Sequence, residues 1–474
     1  MSKTSKTDAL AKVVFAKINV PKDVFWGEQT QRSLTFFNIG SQHFDLGFIK
    51  VLVSIKRACA TINYSHSLLS IDQLNAILFA SDEILQGDYG AQFPLHIWQT
   101  GSGTQTNMNV NEVISHLANN HLAVHADDLS KGKLANSIHP NDHVNLSQSS
   151  NDVFPTAMHI IVAQQTQDIL LPAIELLERE FASKVNDFDG VYTVGRTHLM
   201  DALPIKVSCC LSAYMSQLAF AKQAIQASME GVYHLALGGT ALGSGANAPS
   251  LFGQQAISIL AKQYQLPFIQ SANLYAAVSG EDALLRYSNS LKQLAAVLLK
   301  VANDFRLLGS GPRCGLNEWL LPANEPGSSI MPGKVNPTQC EALSMVCLQV
   351  FGNDLTVSLA SSNGQLQLNT YRPVIIHNVL ESIGLLSDAM TSFANNCVSG
   401  LQLNQAQIDK NMSNNLSVIT LLMPIFGYDK ATQIVQTAAH SNITLAEAAE
   451  QHHFIEQKQF QMLLQKQLDE MLAK

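Results

Sequence analysis

Gly327-Ser328-Ser329-Ile330-Met331-Pro332-Gly333-Lys334-Val335-Asn336-Pro337-Thr338-Gln339-Cys340-Glu341 is the stretch on which the reading of this chain turns. A flexible Gly-Ser-Ser segment runs into turns bounded by Pro332 and Pro337, and a helix is predicted from about Thr338. The prolines fix φ, and Gly333 lets backbone approach a ligand closely. Hydroxyls, a cation, a side-chain amide and a carboxylate converge in this one segment. A Lys beside an Asn at the mouth of a helix suits a carboxylate: a point charge, an amide donor and the positive helix end. A surface loop that merely caps a helix is the competing reading, and spacing alone does not separate the two.

Working outward, four other segments are rich in polar chemistry. Trp98-Gln99-Thr100-Gly101-Ser102-Gly103-Thr104-Gln105-Thr106-Asn107-Met108-Asn109 exposes backbone N–H groups and short donors suited to an oxyanion. A polar turn capping a helix near Asn107 would look similar. Gln148-Ser149-Ser150-Asn151-Asp152-Val153-Phe154-Pro155-Thr156 reads as a cluster capping a long helix, although capping explains only one or two of its polar residues. Gly195-Arg196-Thr197-His198-Leu199-Met200-Asp201-Ala202 is a polar knot between apolar segments, in which His198 is either a satisfied structural histidine or a catalyst. Ile138-His139-Pro140-Asn141-Asp142-His143 brings His and Asp close, yet the spacing fits no common metal-ligand pattern and the Pro implies a turn.

Together these segments, in this chain order, resemble the class II fumarases of the fumarase/aspartase superfamily. The resemblance runs from about Val20 to the C-terminal helices and includes Trp26-Gly27-Glu28-Gln29-Thr30-Gln31-Arg32-Ser33, where Trp26 reads as a packing anchor. It implies Ser328 as the carbon-directed base and His198 as general acid/base for water, oriented by Glu341. It implies substrate contacts from Ser102, Thr104, Ser149, Ser150, Asn151, Thr197, Lys334 and Asn336. It places a secondary anion site at His139, Asn141 and Asp142. His at position 198, where aspartases carry Gln, favours water over ammonia chemistry. Departures from the family pattern stand at Glu28, Asn136, Met200 and Ser208-Cys209-Cys210. Leu316-Asn317-Glu318 is closer to aspartases. An ammonia lyase of the same superfamily and a catalytically inactive paralogue are the alternatives.

The bulk numbers bound the rest. The chain has 474 residues with 14 % charged and 46 % hydrophobic, against about 25 % charged in a typical soluble protein. So little charge implies surface hidden in an oligomer. A formal charge of −8 without Lys/Arg runs argues against nucleic acid. Cys59, Cys209, Cys210, Cys314, Cys340, Cys347 and Cys397 are dispersed without a CxxC pair, and read as reduced buried thiols. Residues 1–12 are polar, and no uncharged 18-residue apolar run suggests a span, so a cytoplasmic protein is expected.

Long helical patterns dominate from about Pro155 to Gly400. Leu284, Tyr287, Leu291, Leu294, Leu298, Val301, Phe305 and Leu308 form an a/d stripe that demands a helical partner. Helices are also expected over Leu46–Leu85, 204–235, 341–360 and 373–398, with Pro373 in a first turn. Residues 13–46 read as loops with a small hairpin. Gly238–Gly245 reads as a tight crossover, since a dinucleotide fingerprint needs a preceding strand in a βαβ unit. The expected fold is mainly α: an N-terminal helical domain (1–147), a central long-helix bundle (148–404) and a small C-terminal helical domain (405–474). By resemblance the bundle assembles into a homotetramer acting on a small dicarboxylate, with no cofactor or metal.

Overall fold

A computed structural model describes residues 18–125 and 137–472. In chain order the principal helices are α1 Glu28–Phe36, α2 Leu46–Ser65, α3 Ile71–Gln86, α4 Thr104–His125, α5 Ser150–Gln165 and α6 Leu171–Asp187. A hairpin follows, β1 Tyr192–Thr197 and β2 Met200–Lys206, then α7 Val207–Val232, α8 Phe252–Tyr264, α9 Leu274–Ser279 and α10 Asp282–Leu308. The chain continues with α11 Thr338–Ser362, α12 Arg372–Phe393, α13 Gln405–Asn414, α14 Met423–Ser441, α15 Leu445–Gln451 and α16 Gln457–Leu472. With 66 % helix and 6 % strand, the fold is mainly α.

The chain forms two compact units. The first comprises residues up to Leu170 together with Ala224–Lys292 and Gln349–Gly384. In it, α2 packs on α3, α5 and α8. Three helix starts here are written locally: Asp45 accepts from Gly47 N (2.6 Å), while Ser70/Gln73 and Ser149/Asp152 form reciprocal capping boxes. Phe154 packs edge-on against Phe44 and Phe48, whose own rings are tilted, at 5.1–5.8 Å between ring centres. Phe154 also lies against Gly103, where an added Cβ would fall 2.2 Å from its ring.

The second unit comprises Leu171–Gln223, Gln293–Leu348 and the chain from Leu385 on. Phe305 packs edge-on against Trp319, Phe393 and Phe181. A separate C-terminal cluster buries Leu422, Ile434, Leu445, Ala448 and Phe460. Gly427, at φ 74°, breaks α14.

The a/d stripe of α10 is buried from Leu284 through Phe305, and Leu308 is partly covered. Several expectations need correction. The expected hairpin before the first long helix is instead α1. Its first turn is satisfied by Glu112, which accepts from Gly27 N, Gln29 N, Thr30 N and Thr30 Oγ1 at 2.6–3.1 Å. The helix expected from residue 204 starts at Val207, because 200–206 form β2. A two-residue strand, His234–Leu235, does precede the Gly238 loop, but it pairs only with Ile269–Gln270 and forms no nucleotide-binding sheet. Cys209 and Cys314 are exposed rather than buried. Among the described residues one helix, α11, is long and apolar enough to cross a membrane. Its midpoint nevertheless holds buried Asp354, which accepts from Ser288 Oγ (2.8 Å) and Lys292 Nζ (2.6 Å), a pattern suited to protein rather than lipid surroundings.

Glu112→Ala should strip the cap from α1 and leave several N–H groups unpaired, at a cost of about 2 kcal/mol. Amide exchange should accelerate selectively in residues 27–36. Unchanged protection there would show that α1 does not depend on Glu112.

Candidate active site

In the first unit, the predicted hydroxyl residues form a continuous chain. Ser102 Oγ lies 2.7 Å from Thr104 Oγ1, which lies 2.6 Å from Ser150 Oγ. Ser102 and Ser150 are buried, and Thr104 is half-buried. Close approach demands the small residue at Gly101, where a Cβ would sit 1.3 Å from Thr370 O. The helix expected near Asn107 starts at Thr104, so Ser102 and Thr104 sit at the N-terminal end of α4, where positive charge density favours an anion.

The Ser149–Asn151 segment divides its work. Ser149 is a structural cap, accepting from Asn151 N at 3.2 Å while its own N–H donates to Asp152 (3.0 Å). Asn151 donates through Nδ2 to Ala241 O at 3.0 Å. Asp152, fully buried, also accepts from Gly238 N (3.0 Å) and Thr240 N (2.9 Å), which moors the glycine-rich loop. Behind the same turn, buried Lys56 donates to Asn145 Oδ1 (2.8 Å) and Gln148 Oε1 (2.9 Å).

His139 begins the helical turn Pro140–Val144. Its Nδ1 faces Asp142 Oδ2 at 3.1 Å, with both side chains exposed. His143 accepts from His139 N at 2.8 Å through Nδ1, and burial lowers its pKa. Asn141 is exposed, and Asn136 lies outside the described residues.

In the second unit, the polar knot is a hairpin. Thr197 pairs with Met200, leaving His198 and Leu199 as the two-residue turn, both left-handed at φ 56° and 62°. Such turns favour Asn-Gly, and each non-glycine residue there costs about 1 kcal/mol. Strain of this kind accumulates at working sites. The tip is exposed, including Thr197, His198 and Met200, while the base is anchored. Arg196 donates to Glu318 through Nη1 (3.1 Å) and Nη2 (2.5 Å), and Glu318 also accepts from Thr193 Oγ1 (3.0 Å) and Asn411 Nδ2 (2.8 Å). Asn415 and Ser417 donate to Ala202 O (2.8 Å) and Asp201 O (3.0 Å). Burial alone would raise the Glu318 pKa, but the hydrogen bonds from Arg196, Asn411 and Thr193 and the Arg196 charge outweigh it and hold the carboxyl below its ordinary range.

The Ser328 loop is tied to itself. Gly327 N donates to Lys334 O (2.8 Å), and Asn336 Nδ2 donates to Gly327 O (2.7 Å). Ser328 Oγ accepts from both Ile330 N (3.2 Å) and Met331 N (3.1 Å). These two amides favour negative charge on Oγ. Lys334, Asn336 and Glu341 line a cleft of about 750 Å³ with Trp319 and Arg306. Glu341 Oε1 stands 4.0 Å from Arg306 Nη2, and within one chain its described ion pair is with Arg306 rather than His198. Arg306 and Glu318 were not singled out as site residues. Arg306 sits on the polar side of an apolar stripe, and Glu318 in a segment weighed only for resemblance.

This scaffold is shared with known proteins. A family model described as Lyase matches residues 16–352, and one described as Fumarase C C-terminus matches 418–468. A class II fumarate hydratase from Pseudomonas syringae pv. tomato is 50 % identical, with 95 % of this chain and 94 % of that protein covered. One from Thermosynechococcus vestitus is 48 % identical, with 94 % of each covered. The crystal structure of a class II fumarase from Schistosoma mansoni superposes with a TM-score of 0.88 at 42 % identity, covering 94 % of this chain and 96 % of that one. The chain belongs to this lyase family and, within it, to the class II fumarases.

Glu318→Gln tests the anchor of the hairpin. A carboxyl held below its unfolded pKa contributes stability above about pH 4.5 and loses it as pH falls through the folded value. The variant should therefore be about 3 kcal/mol less stable at pH 7, with the gap to wild type narrowing in acid. Denaturant titrations at pH 7 and below pH 4 measure this, and a gap that widens in acid would contradict it.

Proposed function

We propose that this chain is a fumarate hydratase that interconverts fumarate and L-malate by general acid/base catalysis in the cytoplasm. Removing the proton from the carbon beside a carboxylate sends the C–H electron pair onto that carboxylate as an aci-type dianion. Fixed donors and positive charge lower that state more than the ground state. Lys334 and Asn336 take this role, while Ser102, Thr104, Ser150, Asn151 and Thr197 bind and orient the substrate, and Ser149 caps the helix start that presents them. Ser328 Oγ accepts the carbon-bound proton. His198, oriented by Glu341, protonates the departing hydroxide as water, and takes that proton back in the hydration direction.

The observation that carries the reading is the pair of amide N–H groups on Ser328 Oγ. A serine hydroxyl is a poor base until its anion is stabilised, and these donors do that without a cofactor. The strained turn presenting His198 supports the same reading, since a purely structural histidine needs no exposed left-handed position. His139, Asn141 and Asp142 serve as a secondary anion site. The division into helical domains over 1–147, 148–404 and 405–474 follows the family resemblance.

We further infer a homotetramer in which neighbouring subunits complete the active sites. On α11, Met345, Leu348, Leu355 and Leu359 are 57–65 % exposed and, with exposed Gly352, follow alternating three- and four-residue steps. This is an a/d seam facing solvent in the single chain, and burying it needs a partner helix.

Absorbance of fumarate formed from L-malate, with L-aspartate in parallel, checks the activity. Wild type should produce fumarate from malate only, and His198→Asn should lower kcat by at least about 10²-fold. Fumarate from aspartate would point to an ammonia lyase, and a folded but silent protein to an inactive paralogue. Leu355→Glu should shift the assembly toward smaller species in light scattering and lower activity in parallel. A monomeric wild type with full activity would refute the shared site.

A further inference from the structure

Arg372 holds the main chain next to both ends of the hydroxyl chain, at Asn151 and at Gly101. It opens α12 immediately before Pro373 and is completely buried. Its Nη1 donates to Asn151 O (2.8 Å), its Nη2 to Val278 O (2.6 Å), and its Nε to Glu281 Oε1 (2.5 Å). Its own backbone N–H donates to Gly101 O at 3.0 Å. Asn151 is the residue after Ser150, and Gly101 the residue before Ser102, so one residue holds the main chain beside each terminal hydroxyl.

We propose that Arg372 is a positioning residue for the dicarboxylate cradle: its guanidinium fixes the Asn151 loop relative to the Gly101 loop, which its own backbone N–H holds. This rests on the reading of the Ser102–Thr104–Ser150 chain as the substrate site. A buried ion pair is often no more stable than apolar residues of equal volume. The Arg372–Glu281 pair is therefore better explained by geometry than by stability. Glu281 is itself buried, and its Oε2 has no hydrogen-bond partner among the described residues, so the carboxylate serves the guanidinium at one point. What the planar guanidinium supplies, and neither an apolar side chain nor an ammonium can, is a rigid fork of donors to three separate acceptors. Hydroxyls placed to contact one carboxylate tolerate displacement poorly, since errors of about 1 Å weaken binding and rate steeply.

The test uses the full-length assembled protein. Arg372→Met removes all three side-chain donations, and Arg372→Lys retains the cation and one or two of them. KM and kcat for L-malate are measured, together with the dissociation constant of succinate, an unreactive dicarboxylate, by calorimetry. Circular dichroism and light scattering establish fold and assembly. Arg372→Lys should stay folded and assembled, with KM and the succinate constant raised about tenfold and kcat changed less than about threefold. Arg372→Met, where it folds, should be weaker still, so that lysine partially rescues. Ser150→Ala should weaken succinate binding alone but add little in the Arg372→Lys background, because the cradle is already displaced.

An Arg372→Lys protein with wild-type KM and succinate affinity would overturn the proposal, as would fully additive effects with Ser150→Ala. A fall in kcat at unchanged KM and succinate affinity would also overturn it, since that pattern places Arg372 outside ground-state positioning. A wild type that neither converts malate nor binds succinate would instead overturn the underlying dicarboxylate reading, which separates the two failures.

Discussion

The first unit depends on buried polar groups that hold backbone from distant parts of the chain. Asp152 shows the constraint most plainly. One carboxyl oxygen accepts the Ser149 amide and closes the cap of α5, and the other accepts the Gly238 and Thr240 amides. A polar group this deep is tolerated only when its hydrogen bonds are met, and here meeting them fixes two loops against one helix start. Arg372 and Glu112 repeat the device with other loops, and Lys56 does so through the side-chain amides of Asn145 and Gln148. Loops at a binding site have few apolar anchors of their own, so buried charge takes the place of packing.

The second unit solves the same problem under more strain. The His198 hairpin offers its tip to solvent and keeps only its lower residues under control, through Glu318 on one side and the segment after α13 on the other. The register shift between Val194 and Arg196 turns the Arg196 side chain to that anchor. Around Ser328 the loop closes on its own backbone, and the hydroxyl that closes it is the one to which chemistry is assigned. Turn formation and anion stabilisation thus draw on the same two amides. The rims of both features stay open, and Lys334 remains exposed with a net acidic chain around it, available to an anionic ligand.

Much of this was legible in the residues. The stripe from Leu284 to Phe305 and the start of α11 at Thr338 are local patterns, and the structure follows them. The segments around Ser102, Ser149, His198 and Ser328 were also visible as polar interruptions of an apolar chain. The identity of the hairpin was not, because His198-Leu199 lacks the Asn-Gly signal of a two-residue turn. Helix α1 was missed for a related reason: the group capping it, Glu112, lies far along the sequence on α4.

The sequence by itself determined the helical periods, the local capping boxes, the order of the polar segments and the side-chain chemistry they carry. These depend on residues within a few positions of one another, where spacing dictates which face a side chain occupies. Only the tertiary structure decided that Ser150 meets Thr104. Only it brought Arg372 beneath both Gly101 and Asn151, and gave Glu318 to Arg196. Those pairings span tens to hundreds of residues, and no local pattern records which buried donor will meet which backbone acceptor. The need to satisfy every buried polar group settles that choice only after the helices have packed.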